Sequence, residues 1–375
     1  MKRKLSTALV MLLAFVLLIG TTAITASAAE TTYQSIGGST SFVKNLVVDA
    51  DANIPDVTFS YSMRRGTAVL ATDSNIEILV SETGGGTIGT AEFSNADTTN
   101  TIAGLPTDED HSNPTTGKKY VQKSVSITLP ETSFTKPGVY RYEITEKTDN
   151  PLPGVTYDPD SIRYLDVFVV ADESDVLHVQ NYVFRKAATN IGLDGKYVSN
   201  PDEKSSGYIN TLTQYDFDFS KTISGNQGDK NKRFTFTLNI TGANPGVYPV
   251  ETNNVVTDNP NSITVGANGT ATGEYSLTNG STVKVVGLNA GAVCTVTEDP
   301  GDYTATHKLD TGEENSGADS GAVTLDNDHS VAFTNTRNGV IPTGIIMTIA
   351  PFAIGICVFG AVFIFIICRK KRRSY

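Results

Sequence analysis

The chain has 375 residues, 29 Lys and Arg against 40 Asp and Glu, and three cysteines. The acidic balance argues against nucleic acid and against docking on anionic lipid. Three cysteines are too few for the disulfide framework that staples many exported domains.

The N-terminus opens on the basic run Met1-Lys2-Arg3-Lys4, followed by an apolar stretch over residues 9–19 and the small residues Thr25-Ala26-Ser27-Ala28-Ala29. This order reads as a secretory signal peptide over residues 1–29, with an apolar run too short to span a bilayer. The next 310 or so residues are enough for two domains that each bury a core. Runs at 123–129, 138–146, 161–170 and 233–240 are short, alternating and rich in Val, Ile, Thr, Tyr and Phe. They are separated by Gly, Pro, Asn and Asp clusters, and no sustained helical period intervenes, so the spacing predicts an all-β pair of tandem antiparallel sandwiches. The boundary falls near residues 211–214, giving domains over 30–210 and 211–338 joined by a short linker with limited hinge freedom. Polar stretches at 97–119, 186–206 and 310–321 read as surface loops.

Residues 345–368 carry no charge over 24 positions, enough at about 1.5 Å per residue to cross a hydrocarbon core of about 30 Å. The basic tail 369–375 follows and stays cytoplasmic, which puts everything before Ile345 outside. Setting aside the eight basic residues of the two termini leaves 21 against 40 acidic residues, a net charge of −19 for the outer region. Cys357 and Cys368 belong to the apolar span, so Cys294 is alone outside and has no partner for an intramolecular disulfide.

Strand parity singles out six polar residues, because alternate side chains point to opposite faces. Lys44 shares a face with Phe42 and Leu46, Glu146 with Tyr140, Tyr142 and Ile144, and Asn210 with Tyr208. In the second domain Lys221 follows Phe217 and Phe219, Glu298 follows Cys294 and Val296, and Asn335 follows Val331 and Phe333. The order is the same in both: Lys on the first strand, Glu late, Asn on the last. A strand end surfacing to solvent accounts for any one of these, and a buried ion pair accounts for two of each three. A third reading is chemical. Burial lowers a lysine pKa and raises a glutamate pKa. A neutral amine can then attack the Asn carboxamide while a protonated Glu polarises it and relays protons, leaving an isopeptide bond and ammonia. Folding supplies the orientation.

Phe134-Thr135-Lys136-Pro137-Gly138-Val139-Tyr140, Ile144-Thr145-Glu146 and Pro153-Gly154-Val155-Thr156-Tyr157-Asp158 resemble the signature of the isopeptide-linkage domain of streptococcal pilins. Residues 217–221, Phe234-Thr235-Phe236, Val296-Thr297-Glu298 and Phe333-Thr334-Asn335 resemble the second, CnaB-type domain of the same pilins. The resemblance covers nearly the whole outer region in the same order. It implies two tandem Ig-like (CnaB-type) β-sandwiches, each closed by a Lys–Asn isopeptide bond with a catalytic Glu: Lys44–Asn210 with Glu146, and Lys221–Asn335 with Glu298. It implies no cofactor.

Val340-Ile341-Pro342-Thr343-Gly344 stands directly before the apolar span and resembles the sortase pattern L-P-x-T-G, with Val in the first position and Pro in the third. The implied cut lies between Thr343 and Gly344, with Thr343 passed to an amine. By the same resemblance the acceptor lysine precedes the last strand of the first domain, where Lys204 is the nearest match and Lys196 the runner-up. The function so implied is the backbone subunit of a covalent Gram-positive pilus. Its partners are sortase, other copies of the chain, and minor pilins or cell-wall peptidoglycan, with the membrane engaged only transiently. A singly anchored adhesin or a basal or minor pilin is the alternative. Enzyme activity on external substrates is not expected. His111, His178, His307 and His329 have neither metal-ligand spacing nor triad partners, and Asp49-x-Asp51-x-Asn53 lacks the Gly and Glu of a calcium loop.

Overall fold

The computed structural model describes residues 34–35, 38–82, 85–106, 116–198, 204–254 and 259–339. The signal segment 1–29, the sorting motif 340–344, the apolar span 345–368 and the tail lie outside the described residues, as does His111. Among the described residues there is no α-helix. The long strands are β1 (Ser39–Asp49), β2 (Lys118–Thr128), β3 (Gly138–Glu146), β4 (Ile162–Ala171), β5 (Leu177–Arg185) and β6 (Gly207–Leu212). After them come β7 (Gln214–Ser224), β8 (Phe234–Thr241), β9 (Gly246–Asn253), β10 (Ala271–Leu277) and β11 (Thr282–Asn289). The last are β12 (Val293–Glu298), β13 (Thr304–Leu309) and β14 (His329–Thr336).

The first six build two sheets. One runs β5-β4-β3 and continues to Tyr61–Arg65; the other runs from the two-residue strand Val155–Thr156 through β6 and β1 to β2. Their facing sides enclose an apolar core that includes Phe42, Leu46, Tyr142, Leu165 and Tyr208. The last eight build a larger sheet ordered β9-β11-β7-β14-β13 and a smaller one ordered β10-β8-β12, around Phe219, Phe236, Val285, Val296 and Phe333. Alternation explains why these segments are strands: β8 reads Phe234, Phe236, Leu238, Ile240 inward with Thr and Asn between.

The sheets are not purely antiparallel. In each half the first and last strands lie side by side and parallel, β1 with β6 and β7 with β14. Parity gives the face of a side chain but not the direction of the neighbouring strand, so this pairing was not visible in the sequence. Its consequence is geometric. When entry and exit strands run the same way, the chain enters at one end of the sandwich and leaves at the other. β6 passes into β7 with only Thr213 between them. Across this junction Asp56 N–H donates to Pro245 O (2.7 Å), Asn53 Nδ2 to Val247 O (2.8 Å) and Asn244 Nδ2 to Pro153 O (3.0 Å).

Candidate functional site

Each sandwich carries one polar cluster inside its apolar core. Lys44 and Asn210 are fully buried, and Glu146 is 2% exposed. Lys44 sits on β1 and Asn210 on the adjacent parallel strand β6, with Lys44 opposite Tyr208, two residues before Asn210. The two side chains therefore project diagonally toward each other on one face. Glu146 ends β3 in the facing sheet. Its Oε1 lies 2.6 Å from Lys44 Nζ and accepts a hydrogen bond from Asn210 Nδ2 at 3.2 Å.

The second cluster repeats the register. Lys221 on β7 lies opposite Phe333, two residues before Asn335 on β14. Glu298, at the end of β12 in the facing sheet, has Oε1 2.5 Å from Lys221 Nζ and accepts from Asn335 Nδ2 at 2.7 Å. Lys221 and Asn335 are 1% and 0% exposed. In both clusters one carboxylate oxygen holds the lysine amine and the amide nitrogen together.

Aromatic rings form the walls. Lys44 Nζ stands 4.7 Å from the ring centre of Phe59 and 5.8 Å from that of Tyr208. Lys221 Nζ stands 4.5 Å from Phe234 and 5.7 Å from Phe236. These rings keep water out, and desolvation governs the ionisation. Burial pulls both lysines down to about 8, against the pull of the neighbouring glutamates. Burial likewise pushes Glu146 and Glu298 above the usual carboxylate range, although the lysines oppose it. A lysine of pKa about 8 is neutral in roughly a tenth of molecules at pH 7. The arrangement therefore presents a nucleophilic amine, a carboxyl able to carry a proton, and a carboxamide, all shielded from water.

The local backbone explains the approach of β6 to β1. Gly207 has φ +154°, and a β-carbon there would fall 1.7 Å from Val43 O, so only glycine lets β6 lie against β1. β1 is buried on both faces. Val47 packs with Leu105, Tyr120 and Ile209 on the far side, and Asn45 there accepts from Gln122 Nε2 at 3.2 Å.

Sequence reasoning missed Asp158. It is buried beside the first cluster, its N–H donates to Asn210 Oδ1 (2.9 Å), and its carboxylate accepts from Arg163 Nη2 (3.0 Å) and Ile209 N–H (3.1 Å). The only signal was its place at the end of the Pro153–Asp158 motif.

Lys204 and Lys196 stand apart from both clusters. Lys204 is exposed and its backbone pairs antiparallel with that of Arg185 at the end of β5, and Lys196 is exposed in the short hairpin 191–197. The guanidinium of Arg185 stacks 3.7 Å over the Tyr197 ring, which ties that hairpin to the end of β5. Cys294 is fully buried, and burial pushes its thiol up to about 12, so it stays protonated at neutral pH.

Residues 41–197 match the family model of the Spy0128-like isopeptide containing domain. Residues 215–337 match a domain family of unknown function, DUF7601. A Pilin of Streptococcus pyogenes serotype M1 is 29% identical over 274 residues, covering 67% of this chain and 73% of that protein. Among solved structures, the major pilin from Streptococcus pyogenes aligns with a TM-score of 0.53 at 21% identity, covering 82% of this chain and all of that one. The major pilin T3.2 of Streptococcus pyogenes serotype GAS13637 aligns with a TM-score of 0.52 at 19% identity, over 81% of this chain and all of that one. These likenesses extend over both sandwiches.

Proposed function

We infer that this chain, which resembles the streptococcal-type major pilins, is the backbone subunit of a covalent pilus on a Gram-positive surface. Two autocatalytic Lys–Asn isopeptide bonds stabilise its tandem Ig-like sandwiches. The observation that carries the reading is the repeated cluster: the same three residue types at the same register, buried among aromatic rings, in both domains.

In each domain the neutral lysine amine attacks the Asn side-chain carbonyl carbon. The protonated glutamate gives its proton to the departing nitrogen and takes one from the attacking amine, the carbon–nitrogen bond to Nδ2 breaks, and ammonia leaves. Sharing one Glu oxygen aligns amine and amide before the reaction and replaces a bimolecular encounter.

A sortase would cut between Thr343 and Gly344, in Val340-Ile341-Pro342-Thr343-Gly344, and pass Thr343 to a lysine of the next subunit. Lys204 is the first candidate and Lys196 the second. The topology suits a polymer under tension. Force entering at Lys204 would run along β6, through Thr213 into β7 as far as Lys221, cross the isopeptide to Asn335, and leave toward Thr343. Residues 222–334 would then bear no load. The Lys44–Asn210 bond lies beside this path and would serve heat and protease resistance. The first sequence segment would direct export, and the apolar span would hold the chain at the membrane until sortase acts.

Cell-wall extracts test the reading. A ladder of covalent multimers that collapses to a single band on Lys204→Ala is the expected result. A ladder untouched by Lys204→Ala and lost on Lys196→Ala would move the acceptor, and a single band from the unaltered protein would contradict polymerisation.

A further inference from the structure

The two clusters differ in one respect that bears on rate. In the first, Asp158 N–H donates to Asn210 Oδ1 at 2.9 Å in a buried setting. In the second, Asn335 Oδ1 is buried and has no hydrogen-bond donor among the described residues. The cause lies in the neighbouring strand. Val155–Thr156 pairs with Leu212 and Thr211 of β6 and then breaks off, which releases the N–H of Asp158 from the ladder. Asn335 is flanked instead by β13, whose pairing with β14 runs unbroken from Thr304 to Leu309 and spends its backbone donors on the ladder.

We propose that the backbone N–H of Asp158 is an oxyanion donor for closure of the Lys44–Asn210 bond, and that the Asp158 carboxylate is the clip that holds it there. The inference rests on the isopeptide reading above. As Lys44 Nζ bonds to the Asn210 side-chain carbon, the carbonyl π pair moves onto Oδ1. That is the atom Asp158 N–H already faces. Charge on Oδ1 returns to the carbon as the bond to Nδ2 breaks and ammonia leaves with the proton relayed by Glu146. A donor fixed beforehand in a site without water acts with no reorganisation. It also fixes the amide orientation, turning Nδ2, the leaving atom, to Glu146 Oε1. The clip has three attachments: Oδ2 accepts from Ile209 N–H at 3.1 Å and from Arg163 Nη2 at 3.0 Å, and Oδ1 accepts from Asp160 N–H at 3.0 Å. Ile209 immediately precedes Asn210, so Asp158 grips the acceptor strand twice. Among the described residues the second domain has no such donor and depends on Glu298 alone, so its bond closes more slowly.

The test times both bonds within one molecule. The full chain is pulse-labelled and digested, and the 44–210 and 221–335 crosslinked peptides are measured by mass spectrometry. The α-hydroxy analogue of aspartate at position 158 replaces the N–H by an ester oxygen and keeps the carboxylate clip. It should slow the first bond about 100-fold and leave the second unchanged. Asp158→Ala should slow the first bond about tenfold through lost positioning. Asp158→Asn keeps a side-chain oxygen for Ile209 and Arg163 and should restore the rate. An ester chain that closes its first bond at the unaltered rate would overturn the inference. So would an Asn variant as slow as the Ala variant, which would make the charge and not the clip responsible. Absence of the 44–210 peptide from the unaltered chain would overturn the isopeptide reading, and this inference with it.

Discussion

Replacing Glu298 with Gln should cost the second domain its crosslink while changing little else. The isosteric amide still offers an oxygen to Lys221 and to Asn335 Nδ2, both of which now use Glu298 Oε1. It cannot relay the proton that ammonia needs in order to leave. The missing bond would have closed a loop of about 115 residues, from Lys221 to Asn335. Loop-closure entropy of that length contributes about 5 kcal/mol to stability, by constraining the unfolded chain. A domain of about 120 residues unfolds with an entropy of roughly 0.25 kcal/mol per degree, so the midpoint should fall by roughly 15–20 °C. Calorimetry on the unaltered and Glu298→Gln proteins, with mass spectrometry to count the ammonia retained, measures both quantities. A variant shown to lack the bond yet melting within about 5 °C of the unaltered domain would refute the entropic reasoning, because strain in the closed form would then offset the constraint.

Single-molecule pulling between Lys204 and Thr343 should extend the Glu298→Gln protein by unravelling its second domain, whereas Glu146→Gln should extend no further than the unaltered chain. Equal extension of both variants would sink the assigned load path. Bond formation should be bell-shaped in pH. The reactive pair, a neutral lysine with a protonated glutamate, holds the same single proton as the ion pair, so the rate falls once that proton is lost above about 8. On the acid side it falls as a second proton is taken up and the amine is charged; a rate that keeps climbing above pH 8 would make the glutamate a base only. Gly207→Ala should push β6 away from β1 through the contact with Val43 O, leaving the first bond unformed and the second intact. A peptide map that still contains the 44–210 crosslink in this variant would contradict the requirement for close approach.

Much of this site was legible in the sequence because burial and alternation are local properties. Lys44 between Phe42 and Leu46, and Lys221 after Phe217 and Phe219, stand out as charges in apolar phase, and the matching order of Glu and Asn ties the two domains together. What parity cannot supply is direction. The parallel pairing of β1 with β6 and of β7 with β14, which sets both the diagonal Lys–Asn register and the end-to-end passage of the chain, depends on contacts between segments more than 100 residues apart. Nor does parity separate one buried face from two. Asn45 is as buried as Lys44, because residues around Leu105 cover the back of β1. Asp158 was hidden for a different reason. Its contribution comes from a main-chain N–H, which every residue but proline has, and only the early end of the Val155–Thr156 strand frees it. The positions of Lys204 and Lys196 relative to Arg185 and Tyr197 likewise depend on how a long loop folds back on its sheet.

The most direct test of the account is the intact mass of residues 30–343, purified from a host without sortase. Closure of both isopeptide bonds requires a mass lower than the sequence mass by two ammonia molecules, with the losses assigned by peptide mapping to 44–210 and 221–335. A protein at its full unmodified mass would contradict it, leaving both lysine clusters as buried ion pairs.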